Sequence, residues 1–124
     1  MKSKLTIIFI LLTISIKAQF ADLVSQNEKA IFQIFSYDEY GAPSSTGTGF
    51  FVSARGLGFT NLHVLADAKF AFIRDINGNT YQIEKITRIC EECDMIEFSI
   101  ASNNNNFPFL NLTSAIPPKG SDVF

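Results

Sequence analysis

Apolar and polar positions change rhythm several times along the 124 residues, and each change marks an element. Phe20, Leu23 and Val24 are spaced for one face of a short helix over Phe20–Lys29, with polar residues between them. Ala30–Tyr37 (AIFQIFSY) is a compact β-prone run, dense enough in apolar residues to be buried on most of both faces. Asp38–Thr46 is polar and holds Gly41 and Pro43, which predicts a loop. Gly47–Ser53 predicts a second strand. Its two glycines suit a place where backbone approaches backbone or a sheet bends at a corner. Beyond the turn Ala54-Arg55-Gly56, Leu57–Asn61 predicts a third strand, and His63–Ala66 a single helical turn.

The pattern then repeats its alternation. Lys69–Arg74 and Thr80–Ile86 flank Asn77-Gly78-Asn79. Asn-Gly between β-prone runs predicts a hairpin, with both turn residues at positive φ. Cys90-Glu91-Glu92-Cys93 reads as a short acidic loop, and Met95–Ile100 as a sixth strand headed by Asp94. Ser102–Asn106 is a surface loop, Phe107–Leu112 a short apolar stretch and Ile116–Ser121 a turn. Asp122-Val123-Phe124 reads as the start of a further strand. Six short strands at fairly regular spacing make the fold class all-β, as a small antiparallel barrel or sandwich.

The first eighteen residues stand apart. Lys2 and Lys4 form a basic leader, Leu5–Ile16 a twelve-residue apolar stretch, and Ala18 a small residue suited to cleavage. This predicts a signal peptide over residues 1–18, too short for a comfortable membrane span, and hence an exported protein, periplasmic or secreted. No membrane partner is expected after cleavage. Setting those residues aside removes three lysines and no acid, leaving seven basic against twelve acidic side chains, a net charge of −5. That balance argues against a nucleic-acid binder, which needs a basic face. Thirteen Phe and no Trp supply ample material for a core.

Chemistry concentrates on the only histidine, His63. It follows Gly47-Thr48-Gly49-Phe50-Phe51-Val52-Ser53 and Gly58-Phe59-Thr60-Asn61-Leu62, a strand pair ending on Thr-Asn. This stretch resembles the approach to the catalytic histidine of trypsin-like serine proteases, above all the bacterial HtrA/Deg type. That type reads roughly G-S-G-h-h-h, then G-h-h-h-T-N-x-H-V, with h apolar. Asp94-Met95-Ile96-Glu97-Phe98-Ser99-Ile100 resembles the segment carrying the family's aspartate, with Glu97 in place of a small or apolar residue. The digestive branch's Cys after the histidine and its Ile-Val-Gly-Gly start do not occur.

The resemblance spans residues 20–124. It implies an antiparallel six-stranded β-barrel with a short N-terminal helix, the first barrel of a two-barrel fold occupying 19–124. It further implies a polypeptide substrate, no cofactor and no metal. His63 would be the general base and Asp94 the acid that orients it. The family's nucleophile sits in Gly-Asn-Ser-Gly-Gly or a near relative, and none of the eleven serines has that setting. The nucleophile is therefore expected outside this chain, which reads as a fragment cut before its second barrel and inactive alone. The alternative is a catalytically inactive protease-like domain that binds proteins. A chance motif in an unrelated secreted β-domain would leave His63 and Asp94 far apart.

Cys90 and Cys93 have several readings: a redox pair, half a zinc site, a local disulfide or two ordinary thiols. Glu91, Glu92 and Asp94 would raise thiol pKa values, against a redox pair. Zinc on Cys90, Cys93 and His63 would lack a fourth ligand and take the imidazole from Asp94. A local disulfide suits an exported protein and would stiffen the loop before Asp94.

Overall fold

A computed structural model describes residues 19–103 and 106–121. The expected signal peptide over 1–18 and the strand start at 122–124 lie outside the described residues. Residues 19–28 are helical (α1). The strands are β1 (Ile31–Tyr37), β2 (Pro43–Phe51), β3 (Leu57–Asn61), β4 (Phe70–Arg74), β5 (Thr80–Cys90) and β6 (Met95–Ile100), with α2 (Leu62–Leu65) between β3 and β4. They close into an antiparallel barrel in the order β1-β2-β3-β6-β5-β4. The fold is thus the expected antiparallel six-stranded β-barrel with a short N-terminal helix.

A barrel has one interior, so each strand must alternate. On β1, Phe32, Ile34 and Ser36 point inward and are buried, while Ile31 and Gln33 are exposed. The expectation that β1 is buried on most of both faces is therefore corrected. Two of its outer residues, Phe35 and Tyr37, are half-buried against neighbours on β4. Tyr37 stacks on Phe70 with ring centroids 5.3 Å apart, and the Arg74 guanidinium lies 4.7 Å from the Phe35 centroid.

Inside, Phe32, Ile34, Phe51, Ile73, Phe98 and Ile100 form the heart of the core. Phe32 meets Phe51 at 4.6 Å and Phe98 at 5.9 Å between centroids. Opposite Phe32, β2 places Gly49. A Cβ there would stand 2.5 Å from the Phe32 ring and 2.5 Å from the Phe59 carbonyl oxygen. The glycine leaves the space that the phenyl ring fills, and it lets β2 approach β3 closely.

Two hairpin connections share one design. In Asp38–Ala42, the Asp38 Oδ1 accepts the N–H of Tyr40 and of Ala42, both at 2.9 Å, and Gly41 has φ 77°. In Asp75–Asn79, the Asp75 Oδ1 accepts the N–H of Asn77 and of Asn79, again at 2.9 Å, and Gly78 has φ 86°. The carboxylate holds the first loop residues in a right-handed turn, and glycine takes the left-handed position that closes it. The β4–β5 hairpin is thus a three-residue loop with positive φ at Gly78 alone, not at Asn77 as the Asn-Gly pair predicts.

Two strands outrun their expected ends. β2 begins at Pro43, inside the expected loop 38–46, because Ser45 and Thr46 pair with Ser36 and Phe35 of β1. Pro43 sits at the strand's first position, beyond a register shift, where the missing N–H costs the ladder nothing. β5 continues past Ile86 to Cys90, crossing two register shifts as it pairs with β6. Such shifts break the apolar alternation that marks a strand in sequence.

The close approach at Gly49 yields a test. Gly49→Ala is expected to lower the unfolding free energy by roughly 1–3 kcal/mol through overpacking. Urea unfolding followed by tyrosine fluorescence measures it, with an unchanged m-value.

Candidate active site

Asp94 and His63 lie 31 residues apart in sequence and meet at one lip of the barrel. The β3–β6 register brings them there. Asn61 at the end of β3 pairs with Met95 at the start of β6, so the residues just beyond each strand are neighbours. The chain then turns in opposite ways on the two sides. After Asn61 it winds into α2, which carries His63. Before Met95 it closes the loop Glu91–Asp94, where the Asp94 N–H donates to the Glu91 carbonyl at 3.2 Å.

Asp94 has φ 49°, the left-handed region that Asp tolerates better than most residues. Its carbonyl oxygen accepts the Leu62 N–H at 3.1 Å and the Asn61 side-chain amide at 3.2 Å. Its Oδ1 accepts the His63 backbone N–H at 2.9 Å, one of the donors that a helix start leaves unpaired. Its Oδ2 stands 2.6 Å from His63 Nδ1. Four contacts from three consecutive residues thus fix one aspartate.

With the carboxylate ionised, Nδ1 carries the proton and donates to Oδ2. Nε2 is then the acceptor of the neutral ring. The His63 side chain is 70% exposed and that of Asp94 45%, so Nε2 is accessible from outside the barrel. The Asp94 carboxyl is held below its ordinary pKa. The hydrogen bond from the His63 ring is the main cause, followed by the bond from the His63 backbone N–H. Burial and the coulombic attraction of the imidazole add smaller, opposing contributions.

The Thr-Asn pair before the helix turns out to be structural on both counts. Thr60 is buried, and its hydroxyl donates to the Thr48 carbonyl at 2.9 Å, continuing the β2–β3 contact past Phe50↔Phe59. Asn61 ties to Asp94 as above. Cys90 and Cys93 are joined in a disulfide, which closes the loop leading to Asp94. Both thiols are therefore taken, and among the described residues no group of three His, Cys, Asp or Glu side chains could hold a metal ion. Glu97 is buried on the outer face of β6, where Thr87 donates to its Oε1 at 2.7 Å and Arg88 Nε lies 3.5 Å away. Thr87 sits at the register shift of β5, so the unexpected acid in β6 is matched by a polar residue out of step in its neighbour.

One contact escaped sequence reading. Ser36, fully buried on β1, reaches the carbonyl of Val64 in α2 at 3.0 Å. Its signal was its phase. It occupies the inward position after Phe32 and Ile34, where a hydroxyl must find a partner.

No protein-family model and no curated protein sequence matches the chain. Solved structures do match. The chain is similar to the crystal structure of the serine endoprotease from Yersinia pestis, with a TM-score of 0.67 and 21% sequence identity, over 78% of this chain. The matched region covers 34% of that protein, so the chain spans about a third of its length. The likeness establishes the fold as that of a trypsin-like β-barrel.

Two tests follow from the Asp94 contacts. Because its carboxyl pKa is lowered in the folded state, the stability these contacts give is fully present above the ordinary value of 3.8. It is lost as pH falls through the lowered value. An NMR titration of the Asp94 carboxyl carbon should place its midpoint below the ordinary value of 3.8. Reduction of the Cys90–Cys93 disulfide by a dithiol is expected to speed hydrogen exchange at the Asp94 and Leu62 amides. Unchanged rates would show that β5–β6 pairing alone holds the loop.

Proposed function

We propose that the chain supplies the acid–base pair of an exported serine endopeptidase acting on polypeptides. The 2.6 Å contact between His63 Nδ1 and Asp94 Oδ2, with Nε2 left accessible, carries this reading. In it, a serine Oγ attacks the carbonyl carbon of the scissile peptide while His63 Nε2 takes the hydroxyl proton. Nε2 then gives that proton to the leaving amine. Asp94 keeps Nδ1 protonated and stabilises the imidazolium between the two steps. The likeness in fold to a serine endoprotease supports the same reaction class.

The nucleophile and the oxyanion donors belong, in this reading, to a second barrel. No serine of the chain stands in a Gly-x-Ser-Gly setting. A second barrel packed over the lip would also exclude water from a pair that is exposed here, strengthening its electrostatics. Export is supported by the basic-then-apolar leader of residues 1–18. Among residues 19–103 and 106–121, no helix is long and apolar enough to cross a membrane.

The experiment is hydrolysis of fluorescent casein by the whole gene product, with a fluorophosphonate probe to label the nucleophile. Residues 1–124 alone should show neither turnover nor labelling. In the whole product, Asp94→Asn is expected to lower kcat by about 10⁴-fold, since the wrong ring nitrogen becomes protonated. His63→Ala should lower it at least as far. Turnover and labelling that survive His63→Ala would overturn the assignment. A folded whole product with neither would mark a protein-binding domain instead.

A further inference from the structure

The helical turn α2 spans four residues, too short to hold its place by its own backbone bonds. Asp94 ties its first end. Its last end carries carbonyls with no partner inside the helix. One of them, the Val64 carbonyl next to His63, lies 3.0 Å from Ser36 Oγ. The same hydroxyl also lies 3.0 Å from the Ser45 carbonyl, on the strand position paired with Ser36. Its single proton is shared between these two acceptors. The Ser44 hydroxyl donates to Ser36 Oγ at 3.2 Å.

The seat is shaped as well as polar. Two positions along the inward row of β2 from Ser45, Gly47 faces the Val64 side chain. A Cβ on Gly47 would stand 2.7 Å from Val64 Cγ2. The turn bearing His63 thus rests on a glycine under the Val64 side chain and a buried hydroxyl under the Val64 carbonyl. An apolar residue would fill the Ser36 position without any need for a partner. A fully buried hydroxyl there is accounted for by the two carbonyls it reaches.

We infer that Ser36 is a positioning residue for His63. Its hydrogen bond to the Val64 carbonyl sets how far α2 sits from the barrel lip, and so whether the imidazole reaches Asp94. This rests on the acid–base role proposed above for the pair. It concerns a residue that touches neither substrate nor the imidazole.

The test uses the full chain and ring ¹⁵N shifts of His63, which report the ratio of Nδ1–H to Nε2–H tautomers at a pH where the ring is neutral. Nδ1–H should dominate in the wild type. Ser36→Ala is expected to lower the ratio by roughly threefold or more, the scale of one lost neutral hydrogen bond. Ser36→Thr, which keeps the hydroxyl, should restore part of it. Ile34→Val, a small core truncation on the same face of β1, should leave it unchanged. If Ser36→Ala does not fold, Ser36→Cys is read in its place, with its weaker donor expected to give a smaller drop. An unchanged ratio in the hydroxyl-deficient variant overturns the inference while leaving the pair's proposed role intact. So does an equal drop in Ile34→Val. A wild-type ring protonated mainly on Nε2 overturns both.

Discussion

Everything at the lip depends on one register. Asn61 of β3 lies opposite Met95 of β6, and this pairing puts Asp94 beside the first turn of α2. A slip of one residue would turn every side chain of β6 to the other face, sending Ile96, Phe98 and Ile100 outward. The burial of those three residues therefore guards the geometry of the Asp94 carboxylate. Core and site are linked through the sheet and through Val64 and Leu65, which follow His63 into the core.

Asp94 then does two jobs with one side chain. One carboxylate oxygen satisfies a backbone donor at the helix start, and the other fixes the tautomer of the ring. The backbone bond matters to the ring bond. It adds a second tie between Asp94 and α2, where an exposed Nδ1–Oδ2 contact alone contributes little in water. The left-handed backbone of Asp94 is held in turn by the two donors on its carbonyl oxygen.

How much of this was legible in the sequence divides along physical lines. The strands β3 and β6 and the pair His63 and Asp94 stand out in the sequence because apolar runs there end sharply on polar residues with local tasks. The three-residue β4–β5 loop was misread because Asn-Gly points to one turn type, whereas Asp75 captures two amides and imposes another. The early start of β2 was hidden because outer-face polar residues and a leading proline look like loop. The far half of β5 was hidden by the register shift between Ile86 and Arg88, which breaks alternation without ending pairing. The inward phase of Ser36 signals that its hydroxyl needs a partner, but which partner was hidden, because it is a backbone carbonyl 28 residues away.

The order of strands around the barrel has a kinetic side. The β1–β2, β2–β3 and β4–β5 hairpins close over short loops, two of them pre-shaped by their own aspartates. The β1–β4 and β3–β6 pairings, by contrast, each join segments more than thirty residues apart, and together they complete the cylinder. Chain-closure entropy places such distant pairings late in folding. The imidazole and its carboxylate consequently come together only once β3 has found β6, one of these two distant joints.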